Sequence, residues 1–234
     1  MILKLQPCDV RSKKGNRRQQ TLFILGSSSP RRIEMLKTIG LKFDVIKPDI
    51  KEKKKQHESP KSYVKRNSLL KARWVAEKFL TTKTSHNYKK CFILSADTIV
   101  VLNNKILEKP RDRKHAAQML KMLSGKTHKV ITAFTVMFLV KSTKKIDLIY
   151  KRSQWKLAKE MTKMVFSDVT FKKLSTEEIT FYVATGEPDD KAGAYAVQGV
   201  GSYIVKSIKG SYTNVVGLPL TEMVECINSV SCQQ

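Results

Sequence analysis

The run Leu22-Phe23-Ile24-Leu25-Gly26 gives way at once to Ser27-Ser28-Ser29-Pro30-Arg31-Arg32, and that change constrains the fold more than any other stretch. A buried strand has to stop and a helix begin within three residues. Pro30 suits the first helical position, where its missing N–H would have no intrahelical partner, and Ser29 is a favourable N-cap before it. Ile33, Leu36 and Ile39 supply an apolar face, and Gly40 suits the stop. Free N–H groups, the positive end of the helix dipole, serine hydroxyls and two guanidinium groups therefore converge at a strand end. That combination suits an anion such as phosphate. The alternative is an ordinary strand-to-helix turn with solvated arginines.

Downstream, residues 41–46 alternate as a second strand. Ser59-Pro60 repeats the cap-plus-proline signal and opens a helix to about Leu80, with Tyr63, Val64, Asn67, Leu70, Trp74 and Val75 at helical spacing. Lys71 on that helix reads as solvated surface. An apolar strand over 91–96 runs into Asp97-Thr98, and 99–102 resumes before an Asn103-Asn104 turn. An acid in such a run either satisfies turn N–H groups or serves a function, because burying it unpaired is costly.

Glu108-Lys109-Pro110 precedes a helix ending at Leu123, followed by a β-rich run over 127–140, a long hairpin or loop over 141–163 and a strand over 164–172. Ser175-Thr176-Glu177-Glu178 is a capping box. Three glycines within 193–201 predict a loop where backbone approaches a ligand or another element. Residues 202–208 and 212–216 read as a final hairpin, and a helix starts at Pro219.

Strands alternating with helices over 234 residues make an α/β fold of one domain over 21–230, with a flexible basic extension over 1–20 and a short tail over 231–234. The formal charge is +25, of which residues 1–20, 47–66 and 141–163 together supply +16. The charge therefore sits mostly on a tail and two loop-rich surfaces, and nonspecific nucleic-acid binding at low salt is expected. Four widely spaced cysteines predict free thiols in a reducing compartment, and no apolar run approaches a membrane span. The reading is a soluble cytoplasmic protein. G-x-S-x-G, H-E-x-x-H, P-loop and G-x-G-x-x-G motifs are all missing.

The motifs that remain are Gly26–Arg32, Ser95–Val101, Leu107–Pro110, Leu123–His128, Tyr182–Gly186, Asp190–Tyr195, Gln198-Gly199 and Asn214–Leu220. In this order they resemble the Maf family of nucleoside triphosphate pyrophosphatases, formerly described as septum-formation inhibitors. The resemblance implies a mixed twisted β-sheet flanked by helices, similar to that of inosine triphosphatases, in two lobes with a central cleft. It implies hydrolysis between the α and β phosphates with a divalent metal, Mg2+ or Mn2+, and roles in excluding modified nucleotides from nucleic acids and in division arrest. Asp97 falls on the general-base position. Ser27, Arg32, Lys71 and Lys109 fall on phosphate contacts, and Glu52 with Asp97 on metal-holding acids.

Arg31, Thr98 and Gln198 match the branch acting on dTTP and UTP, where a glutamine amide pairs with a pyrimidine edge. The other branch acts on 7-methyl-GTP. A noncatalytic nucleic-acid-binding or division-regulating protein is the competing class. The partner set is the nucleotide, with no specific nucleic acid and no membrane, and a homodimer is compatible with it. Gly26, Ser95 and Ala196 depart from the residues usual in the family.

Overall fold

The computed structural model describes residues 21–82, 88–148 and 151–231, with side chains described outside 143–153. The extension over 1–20 and residues 232–234 of the tail lie outside the described residues. The order is β1 (Thr21–Gly26), α1 (Pro30–Thr38), β2 (Asp44–Val45), α2 (Pro60–Leu80), β3 (Lys90–Leu102), β4 (Lys105–Leu107), α3 (Arg113–Leu123), β5 (Thr127–Leu148), β6 (Lys151–Phe171), α4 (Thr176–Ala184), β7 (Val205–Gly210), α5 (Tyr212–Val216) and α6 (Leu220–Ser231). Short 3-10 turns fill 187–204.

Among the described residues the sheet has seven strands in the order β2-β1-β3-β5-β6-β7, with β4 beside β3. β1 is parallel to β2 and β3, and the remaining pairs are antiparallel. This is the mixed sheet flanked by helices that the motifs imply.

Side-chain alternation along β3 sends successive residues to opposite faces. Cys91 and Ile93 pack under Ala72, Val75 and Phe79 of α2. Phe92, Leu94 and Ala96 share a core with Leu36 of α1 and Met223 and Ile227 of α6. Farther along that second face, Val100 and Leu102 join Met119 and Leu120 of α3 and Tyr182 of α4. Two separate blocks thus cover one face, and Thr98 falls between them.

The strand edge has a matching gap. β1 leaves β3 at Ser95 and β4 joins it at Val100, so residues 96–99 have no strand partner on that side. A cleft opens there.

Several expectations change. β3 runs unbroken through Asp97, which stays in register with Ala133 of β5, so the acid sits within a strand and not at a turn. The second strand shrinks to Asp44–Val45. Leu70 points to solvent, while Asn67, Ser68 and Lys71 take the buried face of α2. Of the two alternatives for 141–163, the hairpin holds, with 141–148 ending β5 and 151–163 opening β6.

The expected strand over 212–216 is helix α5. Ser211 caps it by accepting the Asn214 N–H at 3.2 Å, and the Asn214 side chain donates to Ser167 Oγ and Val130 O. These buried bonds override the β-branched composition. Two family departures also meet: Gly26 and Ser95 are register partners, and a Cβ on Gly26 would lie 2.2 Å from Ser95 Oγ. The larger residue at one position requires glycine at the other.

Candidate active site

The cleft encloses about 510 Å3, and its lining includes Ser27, Arg31, Arg32, Glu52, Lys71, Asp97, Thr98, Lys109 and Gln198. Every side chain singled out in the sequence therefore borders one space. Their states differ.

At the phosphate turn the Ser29 N–H donates to Ser27 Oγ at 3.1 Å, and Ser29 itself makes no side-chain cap, contrary to expectation. Arg31 is about a third exposed, 4.0 Å from Asp190. Arg32 is buried and donates Nε–H to Gly217 O at 2.8 Å, NH1 to Ala96 O at 2.8 Å and Ser27 Oγ at 3.3 Å, and NH2 to Thr98 Oγ1 at 3.0 Å. Burial pushes its pKa down, and the charge on Asp97 opposes that. With four N–H bonds made inside the protein, Arg32 clamps the open β3 edge to the turn and keeps one N–H for a ligand.

On the α2 face, Asp97 is buried and accepts from Lys71 Nζ at 2.7 Å on Oδ1 and from Asn67 Nδ2 at 3.2 Å on Oδ2. Lys71 also lies 3.0 Å from Glu52 Oε1. This is the pairing that makes a buried acid tolerable, and it corrects the solvated reading of Lys71. The Tyr63 hydroxyl lies 3.1 Å from Glu52 O and 3.3 Å from Glu108 Oε1, and burial pushes its pKa up to about 12.

On the opposite face of β3, Thr98 Oγ1 lies 2.9 Å from Thr132 Oγ1, which donates to Asn214 O at 3.1 Å. Thr98 thus ties β3 to β5 and α5.

The far wall is the loop over 187–201. The Tyr195 hydroxyl lies 2.8 Å from His128 Nε2, and the Ala196 N–H donates to the Tyr182 hydroxyl at 3.0 Å. The Gly201 N–H donates to Glu187 Oε2 at 2.7 Å, and Gly193 N–H to Glu108 O at 3.1 Å. A Cβ on Gly201 would come 2.4 Å from the Tyr182 hydroxyl, so the close approach read from the glycines is to the protein's own elements. Gln198 itself is exposed, as is Lys109. Lys191 donates to Glu187 O and to Asp190 Oδ1, both at 2.6 Å. Burial acts against it, but Lys191, Arg31 and Lys109 hold the Asp190 carboxyl below its ordinary value.

Asn67, Tyr63, Glu108, Asp190 and Lys191 stand in the helix face and motifs read from the sequence without a site role there. The signal for the first two was present: Tyr63, Asn67 and Lys71 recur every fourth residue along one helix face.

A family model described as "Maf-like protein" matches residues 22–230. The chain belongs to the Maf family. A relative named dTTP/UTP pyrophosphatase from Photorhabdus laumondii is 43% identical over 212 residues, covering 89% of this chain and 93% of the relative. One of the same name from Syntrophotalea carbinolica is 44% identical, covering 87% and 82%. A third, from Escherichia coli K12, is 43% identical, covering 89% and 93%. Among solved structures, the Staphylococcus aureus Ham1 protein aligns over 80% of both chains at 13% identity with a TM-score of 0.38.

Membership explains the order of the site motifs along the chain. The Gly26–Arg32 motif lies against the open edge of β3, where Arg32 bonds Ala96 O. Among the described residues no helix is long and apolar enough to cross a membrane, and Cys91 and Cys226 are free and buried, with burial pushing both thiol pKa values up.

Proposed function

We propose that this Maf-family protein is a nucleoside triphosphate pyrophosphatase that hydrolyses dTTP and UTP, and modified pyrimidine nucleotides of the same edge pattern, to the monophosphate and pyrophosphate. The observation that carries the reading is a buried acid, Asp97, paired to a lysine in a cleft lined by Arg31, Lys109 and Gln198 beside the further acids Glu52, Glu108 and Asp190, in a chain about 43% identical to relatives bearing that name.

A tetra-anionic triphosphate enters along Ser27 and Arg31, with Lys109 opposite. Asp97 takes a proton from water as its oxygen attacks the α-phosphorus, and the bond to the α,β-bridging oxygen breaks. Negative charge moves onto the departing pyrophosphate, where Lys71 and Lys109 offset it.

Glu52 and Asp97 are hard oxygen donors converging on one ammonium, at 3.0 and 2.7 Å. That set fits Mg2+ or Mn2+, which bind through one or two carboxylates plus substrate phosphates. When bound, such a cation neutralises phosphate charge. Glu52 and Asp97 would hold the cation, and Lys71 would pair with phosphate.

Gln198 reads the base, donating N–H to a carbonyl oxygen of uracil or thymine and accepting the ring N3–H. That edge favours pyrimidines over 7-methyl-GTP, and the absence of charge from most motif positions disfavours a nucleic-acid-binding role. We place the enzyme in the cytoplasm, where its buried thiols stay reduced. A homodimer, the assembly compatible with the resemblance, is checked by light scattering.

The test is incubation with Mg2+ or Mn2+ and a nucleotide panel. Pyrophosphate should appear fastest from dTTP and UTP. Equal rates across purines and pyrimidines, or no pyrophosphate, would contradict the proposal.

A further inference from the structure

Asn67 is fully buried in the second turn of α2, where a side chain of its size would pack more favourably as an apolar residue. Its Nδ2 donates to Asp97 Oδ2 at 3.2 Å, while its Oδ1 is buried without a hydrogen-bond partner. An amide that keeps one end unpaired in a protein interior costs stability, commonly by about 1–3 kcal/mol. What Asn67 supplies in return is a donor to one oxygen of the buried Asp97 carboxylate.

We propose that Asn67 is a positioning residue that fixes the plane of the Asp97 carboxylate. This rests on the reading of Asp97 as the base. The argument is geometric. Rotation about χ2 of an aspartate has a broad, shallow profile, so one partner does not fix the carboxylate plane. Lys71 holds Oδ1 from the end of a flexible four-carbon stem and is shared with Glu52. When substrate arrives and Lys71 pairs with phosphate, Asp97 loses its strongest restraint. Asn67 has no such mobility: it is 0% exposed, on a long helix, one turn before Lys71. Its amide hydrogen bond to Oδ2 persists and keeps the carboxylate aimed at the attacking water.

The same helix face repeats the device. Tyr63, one turn earlier, lies against Glu108 Oε1 and the Glu52 backbone, so a second side chain of this helix face reaches an acid of the cleft.

The test is a double-mutant cycle between Asn67→Leu and Asp97→Asn, with steady-state kinetics on UTP and binding of a non-hydrolysable α,β-imido UTP. Asn67→Leu keeps the branched shape of the side chain and removes the donor. Misorientation of a reacting group costs on the order of 10- to 100-fold, so kcat should fall by that much while KM and analogue binding stay within about twofold. On the Asp97→Asn background the same substitution should change the residual rate by less than about twofold, because there is no base left to aim. If Asn67→Leu does not accumulate as folded protein, Asn67→Ala removes the donor without adding apolar bulk.

A full wild-type kcat in the folded Asn67 variant overturns the proposal. So does a loss of the same size on the Asp97→Asn background, which marks a structural effect. An active Asp97→Asn enzyme removes the base reading instead, and is distinguishable because it needs no Asn67 variant.

Discussion

The two walls of the cleft are built differently. The α2 wall sets its polar groups on regular structure: Asp97 on a central strand, with Asn67 and Lys71 of a 21-residue helix each hydrogen-bonded to it, and all three buried. The loop wall, from 187 to 201, presents exposed Gln198 on backbone held at a distance by Tyr182, Glu187 and the His128–Tyr195 pair. In the proposed mechanism the first wall fixes the reacting groups before substrate arrives. The other offers a replaceable recognition surface on a pinned scaffold, so changes on the first should affect rate and changes on the second should affect selectivity or loop stability.

The largest effect should come from the α2 wall. Asp97→Asn keeps the shape but cannot accept the proton, and kcat on UTP should drop by about 10²- to 10⁴-fold with KM little changed. Near wild-type turnover would dissolve the distinction between the walls.

Next in size is the contrast between neighbouring arginines. Arg32→Lys removes a planar fork that holds Gly217 O and Ala96 O, leaving buried acceptors unpaired, and should cost roughly 3 kcal/mol of stability. Arg31→Lys, at a position about a third exposed, should leave the melting temperature within a degree or two and act on KM. Equal melting temperatures would show that Arg32 is no clamp.

Acid should loosen the loop wall first. Burial lowers the pKa of His128 to about 4 from 6.5, with Asp168 opposing weakly, so the folded protein holds it neutral. Between those values the unfolded chain binds the extra proton and stability rises with pH. The contribution is fully present above about pH 6.5 and is lost as pH falls through about 4, a change of roughly 3 kcal/mol. Chemical denaturation across this window should show the slope in the wild type and a flatter one in His128→Gln.

The smallest effect is on specificity. Gln198→Glu cannot donate to a carbonyl oxygen and leaves it unpaired, a penalty of about 1–3 kcal/mol, or about 5- to 150-fold in kcat/KM for dTTP and UTP. Wild-type enzyme should also prefer UTP to CTP. An unaltered substrate profile would move base recognition off this loop.

How far each wall could be read from sequence follows the same division. Cap residues and local periodicity reveal α1, α2, α3 and α4 to within a residue or two at most ends, because a helix terminus is a local event. Arg31, Thr98 and Gln198 were reached through ordered motifs, and all border the cleft. What stayed hidden depends on distant partners. The break expected at Asp97 never forms because Lys71, 26 residues upstream, supplies the charge that lets an acid lie in a continuous strand. The clamping bonds of Arg32 are hidden because its acceptors at Ala96 and Gly217 are far along the chain. The Tyr212–Val216 helix reads as a strand until Ser167 and Val130 are seen to hold Asn214.

The account's central claim is that water, activated at Asp97, attacks the α-phosphorus. Hydrolysis of UTP in water enriched in oxygen-18, with mass analysis of both products, tests it directly. The label should appear in the uridine monophosphate, with pyrophosphate unlabelled and no orthophosphate formed. Label in the pyrophosphate, or release of orthophosphate, would place the attack at another phosphorus and contradict the account.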